Sequence, residues 1–160
     1  MRYITLSELI FINGTLLNKP EIITGKRHIR DIQLLEAAVA RPAASAFGED
    51  AYPTLREKSA AMLHSVARNH PFADGNKRTA TVGAVFMLHV NGERVIWKPE
   101  DALQTILNVA EGGLNVTELA AWFPLESQNP SLAPDADIDM YLIDQIIKEH
   151  RWLLDELERQ

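Results

Sequence analysis

Three times in this chain a capping residue stands three positions before a glutamate at the head of an apolar run. These are Thr5-Leu6-Ser7-Glu8, Thr54-Leu55-Arg56-Glu57 and Asn115-Val116-Thr117-Glu118. The side-chain oxygen of the first residue caps a free backbone N–H of the new helix, and the glutamate returns the bond. The pattern therefore fixes three helix starts. Leu9, Ile10, Ile12, Leu16 and Leu17 carry the first to about residue 17. Ala61, Met62, Ser65 and Val66 carry the second to about Asn69, and the third runs to Phe123 before Pro124.

The remaining segments follow the same logic. Residues 18–29 are polar, contain Gly25 and read as loop. Asp31 can N-cap a helix through Ile32, Leu35 and Val39 that Pro42 ends. Asn76 reads as the N-cap of a helix to Asn91, with Gly92 as the terminating glycine. Glu93 to Lys98 reads as extended, and Pro99 opens a helix that stops at Gly112-Gly113. Pro124, Pro130 and Pro134 mark residues 124–137 as a linker, and Ile138 to Leu157 reads as one long amphipathic helix. The expected fold is all-α: a helical bundle with a helix–loop–helix at its centre and at most a short β-hairpin flap. The expected division is a domain over 1–123, the linker 124–137 and an acidic C-terminal helix 138–160.

Composition narrows the function. With no cysteine among 160 residues, a thiol nucleophile, a disulfide scaffold and a cysteine metal site are excluded. No apolar run reaches the roughly 18 residues of a membrane span, and the first residues carry no signal-peptide pattern, so the cytoplasm is the expected location. The formal charge is −6, which speaks against sequence-independent nucleic-acid binding. That charge is local. Residues 135–160 hold eight acids and three bases, whereas residues 1–134 hold 14 acids and 13 bases.

The segment His70-Pro71-Phe72-Ala73-Asp74-Gly75-Asn76-Lys77-Arg78-Thr79-Ala80 ends one helix and begins another. Free N–H groups at a helix start form an anion site, and Gly75 lets backbone approach a ligand closely. Lys77 and Arg78 oppose the helix dipole in that first turn, a cost that a bound polyanion offsets. Asp74 is a hard oxygen ligand suited to Mg²⁺, and His70 can accept a proton near neutral pH. Singly, each residue has an ordinary reading as cap, turn or solvated charge. Together they form a kit for phosphoryl or nucleotidyl transfer.

The spacing resembles the Fic/Doc signature HxFx(D/E)GN(G/K)R, met here by His70, Phe72, Asp74, Gly75, Asn76, Lys77 and Arg78. Residues 2–12, the helix from Arg30-Asp31 to Arg41-Pro42, Tyr52-Pro53-Thr54, Ala67-Arg68-Asn69 and Asn91-Gly92 are similar to the Doc (death-on-curing) branch. The resemblance spans residues 1–123. Lys77 stands where typical Fic adenylyltransferases have glycine, and Thr81 where they have a second arginine; both match Doc. The resemblance implies a toxin kinase that uses ATP and Mg²⁺ to phosphorylate a threonine of elongation factor Tu, restrained by a separate antitoxin chain. It assigns His70 as base, Asp74 to the metal, Gly75, Asn76, Lys77 and Arg78 to the phosphates, and Phe72 as the loop's anchor. It also implies a target-docking flap, placed by position at Ala46, Phe47 and Gly48. An adenylyltransferase, or a silent binding protein on the same scaffold, remains the alternative.

Some Fic proteins carry an inhibitory (S/T)xxxE(G/N) helix. Ser45 to Glu49 approaches that pattern but fails at Asp50, so no built-in inhibitor of that kind is expected. The tail helix is expected to pack on its own domain or on a second copy of the chain. The sharper alternative is that its acids compete for Lys77 and Arg78.

Overall fold

The computed structural model describes residues 1–18, 28–128 and 130–160. The loop expected at 18–29 therefore lies largely outside the described residues, as does Asn129 of the expected linker. The described residues form eight α-helices, a short 3₁₀ turn and two small two-stranded sheets. The helices are α1 (Leu6–Leu16), α2 (Ile32–Ala40), α3 (Leu55–Asn69), α4 (Asn76–Val90), α5 (Pro99–Ala110), α6 (Val116–Trp122), α7 (Ala136–Glu149) and α8 (Arg151–Glu158). The strands are β1 (Ser45–Ala46), β2 (Glu49–Asp50), β3 (Glu93–Val95) and β4 (Leu125–Ser127). No helix among the described residues is long and apolar enough to cross a membrane. The all-α expectation holds.

The caps behave largely as the sequence predicts. Thr5 and Asn115 form reciprocal boxes with Glu8 and Glu118. Thr54 accepts from the Glu57 N–H, but the Glu57 carboxylate bonds to the Thr54 hydroxyl rather than to its backbone. Asp31 caps α2 through the Leu34 N–H, and Gly92 takes φ 89° just beyond α4.

The centre is the α3–α4 hairpin. Helix α4 is buried on every side, from Asn76 to Val90, with Lys77 and His89 only half-buried. Small residues make this possible. A Cβ at Gly83 would lie 3.0 Å from Leu9 Cδ2 and 3.1 Å from Met62 Cε, so α1 and α3 approach the α4 backbone at glycine distance. Helices α2 and α6 pack on α3, while α1 and α7 pack on α4. Trp97 is buried and stacks with Trp122 and Phe123. Trp152 is half exposed.

Two features depart from the sequence reading. The stretch expected as linker contains β4, which pairs antiparallel with β3 in the register Glu93↔Ser127, Arg94↔Glu126 and Val95↔Leu125. Further bonds, Gln128 N–H to Gly92 O and Leu132 N–H to Val90 O, hold it along the end of α4. Its prolines only keep it from being helical. The single tail helix is two, broken at His150, whose ring meets the Trp97 ring edge-on at a centroid distance of 5.6 Å. No proline or glycine marks that break. It turns Leu153, Leu154 and Leu157 onto the body, where α8 packs against α4 and α5 while α7 stays on α4. Arg2 ties the other end of the tail down, 2.6 Å from Asp139 and 2.8 Å from Glu8.

Because Leu153 is buried against the body, Leu153→Ala should destabilise the whole chain by about 2–5 kcal/mol, read as a lower urea midpoint of a single transition. An unchanged midpoint would show that the tail is not part of the folding unit.

Candidate active site

The loop between α3 and α4 turns through two left-handed residues. His70, the C-cap of α3, has φ 51° and ψ 59°, and Gly75, the N-cap of α4, has φ 75° and ψ 22°. Glycine takes this conformation without strain, but a histidine does not, so the surroundings must hold it. A Cβ at Gly75 would also crowd Asn13 and Leu17 at 3.3 Å.

The loop's inner side is closed by side chains. Phe72 is buried, as expected of an anchor. The Asn76 amide accepts from the Phe72 N–H and donates to the Phe72 carbonyl, both at 2.9 Å. Asn76 is thus the first residue of α4 rather than its cap, because its side chain closes the loop behind it. Its side chain, expected at the phosphates, is thus engaged by Phe72, and its backbone N–H, also expected there, is left at the helix start. The Gly75 N–H, also expected at the phosphates, donates to Asp74 Oδ1 at 2.8 Å. Among the described residues the N–H groups of Asn76, Lys77 and Arg78 have no partner, as the geometry of a helix's first turn dictates.

The outer side is an open pocket of about 200 Å³. His70, Asp74, Gly75, Asn76, Lys77 and Arg78 all line it. The Asp74 side chain is 71% exposed, and its Oδ1 lies 3.8 Å from Arg78 Nη2. Arg78 is otherwise buried, with its guanidinium drawn to the pocket floor. Lys77 is half-buried. Partial desolvation pushes the His70 pKa below the ordinary histidine value, and the cations Lys77, Arg30 and Arg68 push it the same way. A neutral imidazole at physiological pH is the form that accepts a proton.

The 42–53 segment forms a hairpin with Ala46 in β1 and Phe47-Gly48 as its two-residue turn. Both turn residues have positive φ, 54° and 80°, the geometry that matches strand twist. Phe47 is fully exposed. The buried Lys58 ammonium ties the hairpin base, 3.2 Å from both Asp50 Oδ2 and the Pro42 carbonyl.

Two contributions escaped the sequence reading. Asn13, buried on α1, donates to the Asp74 carbonyl at 2.9 Å and to Thr79 Oγ1 at 3.1 Å. A lone amide on an apolar helix face was the available signal. Arg30 donates to the carbonyls of His70 and Asn69, at 2.6 and 2.7 Å. Nothing local marked it, since 40 residues separate it from its partner. Leu157, Glu158 and Gln160 form one wall of the pocket, and Glu158 Oε1 lies 3.5 Å from Arg78 Nη1, the approach that the alternative reading of the tail's acids anticipated.

The model of the Fic/DOC family matches residues 3–88. The chain is 34% identical over 120 residues to "Protein kinase doc" of Escherichia phage P1, covering 75% of this chain and 91% of that protein. It is 57% identical over 68 residues to "Toxin Doc" of Mycolicibacterium smegmatis, covering 42% of this chain. The chain spans about half of that relative's length, 52%. The family model takes in more than half of the chain, including α3, the loop and α4 as far as Leu88, and the chain belongs to the Fic/DOC family.

Proposed function

We propose that this chain is a Doc-like toxin that transfers the γ-phosphate of ATP to a hydroxyl of a protein, a threonine of elongation factor Tu being the target the resemblance implies. The observation that carries the reading is the convergence on one pocket of His70, free amides at the α4 start and two cations. The relative named as a protein kinase, matched over most of its length, supports phosphate transfer. Lys77 in place of the usual glycine favours it over AMP transfer.

In this reading the Asn76, Lys77 and Arg78 amides with the Lys77 and Arg78 side chains bind the phosphates. His70 takes the proton of the target hydroxyl. The hydroxyl oxygen bonds to the γ-phosphorus as the bond to the bridging oxygen breaks, and ADP leaves. Asp74 suits Mg²⁺: one carboxylate oxygen is held by the Gly75 N–H, and Oδ2 has no partner among the described residues. A Mg²⁺ ion held there would complete its shell with phosphate oxygens and water. Such an ion supplies positive charge against the phosphates. Ala46, Phe47 and Gly48 would dock the target segment, since β1 and β2 are short, exposed and, among the described residues, pair only with each other. A separate antitoxin chain would restrain the toxin, as the relative named Toxin Doc suggests. We read 1–123 as the transferase domain and the tail as an addition to it.

With elongation factor Tu and ATP, label at the γ position should reach the target and label at the α position should not. The reverse would make the chain an adenylyltransferase, and no transfer of either label would favour a binding protein. His70→Ala should abolish transfer with the fold intact. In the wild type the rate should fall on acidification only below the ordinary histidine pKa, because His70 must stay neutral to act and its pKa is lowered. A limb at or above that value would contradict the role.

Glu158 lies where an incoming phosphate must meet Arg78. Its carboxylate is 60% exposed, so the pair is weak. Glu158→Gln should therefore tighten ATP binding by no more than about five-fold, an effect that fades with added salt. Calorimetric titration of ATP at low and high salt measures it.

A further inference from the structure

We infer that Arg30 is a positioning residue for His70, holding the histidine's backbone in the left-handed turn that sets its ring at the pocket. The inference rests on the reading of His70 as the proton acceptor.

A helix that ends in a left-handed residue normally satisfies its last carbonyls with N–H groups from the turn that follows. Here that solution is blocked. The residue after His70 is Pro71, which has no N–H, and the His70 N–H makes no cap bond among the described residues. The residue in the turn is a histidine, which carries a Cβ penalty that glycine would not. Arg30 supplies the missing donors from outside the helix. Its Nε donates to the His70 carbonyl at 2.6 Å, and its Nη2 to the Asn69 carbonyl at 2.7 Å. Two parallel donors on a rigid plane fix the orientation of two successive peptide groups, those on either side of the His70 N–Cα–C unit. One donor on a flexible stem cannot do so.

The chain around Arg30 is docked without its side chain. The N–H groups of Arg30 and Asp31 donate to the Pro71 carbonyl at 2.8 and 3.0 Å, and Ala73 donates to the His28 carbonyl at 2.8 Å. Ile29 and Phe72 form an isolated antiparallel bridge. Removing the guanidinium therefore frees the His70 turn while leaving the segment in place.

Arg30 also adds positive charge beside the ring. The other charged groups around His70 are Arg68 on α3, Lys77 and Arg78 on α4, Asp74 in the loop and Glu158 from α8. Position and charge separate by substitution. Arg30→Met removes both, whereas Arg30→Lys keeps the charge and loses the fork.

The test combines transfer from γ-labelled ATP with NMR of His70 in the wild type, Arg30→Met, Arg30→Lys and His70→Ala. In Arg30→Met, kcat should fall roughly 10- to 100-fold with KM for ATP little changed, since misplacing a reacting group costs rate while the phosphate contacts stay. The His70 backbone shifts should lose their left-handed signature and its ring should titrate at higher pH. Arg30→Lys should titrate near the wild type yet remain slow, and it serves as the test if Arg30→Met does not fold. Wild-type kcat and a retained left-handed signature in either variant would overturn the inference. If His70→Ala still transfers phosphate, the base reading fails, and the NMR arm alone decides whether Arg30 sets the turn. If His70→Ala is inactive while the Arg30 variants match the wild type, only the role of Arg30 is lost.

Discussion

The pair of hydrogen bonds between the Asn76 amide and the Phe72 backbone is the interaction on which the rest of this structure depends. It links the first residue of one buried helix to the turn that leaves another. Phe72 can be buried only because its two backbone polar groups are satisfied there, and an unsatisfied pair would cost several kcal/mol. With Pro71 and Phe72 inside, His70, Ala73 and Asp74 are left exposed. His70, Asp74 and the first turn of α4 then face one pocket.

The packing around that loop explains why it stays put. Helices α3 and α4 approach closely through small residues, and Gly83 leaves no room for drift between α1, α3 and α4. Asn13 reaches from α1 to the Asp74 carbonyl, and residues 28–31 clamp the other side. The loop is held by three separate elements, which is how a strained, left-handed histidine persists.

Electrostatics follows from the same placement. The whole-chain charge of −6 is concentrated in the tail, while two cations stand at the α4 N-terminus against its dipole. Nothing acidic in the first turn of α4 relieves them. Asp74 and Glu158 approach Arg78 only at 3.8 and 3.5 Å, long enough for a phosphate to displace them. The tail is thus both part of the hydrophobic core, through Leu153, Leu154 and Leu157, and part of the pocket wall.

The helix starts, the all-α class and the His70–Arg78 constellation were legible in the sequence, because caps, breakers and motif spacing act over a few residues. The β-hairpin turn at Phe47-Gly48 was half legible, from the glycine and the position of the loop. The pairing of β3 with β4, the break at His150 and the clamp by Arg30 were not, and the approach of a tail acid to Arg78 was legible only as an alternative. Each joins residues far apart in the chain or answers to packing rather than to local preference. Asn76 shows the boundary most clearly: its sequence position suggested a cap, and only the fold turned its amide back to Phe72. The sequence by itself determined which reactive residues stand together in one loop and at what spacing. The tertiary structure decided which groups hold those residues in place, since distant contacts, unlike caps and turns, leave no periodic trace along the chain.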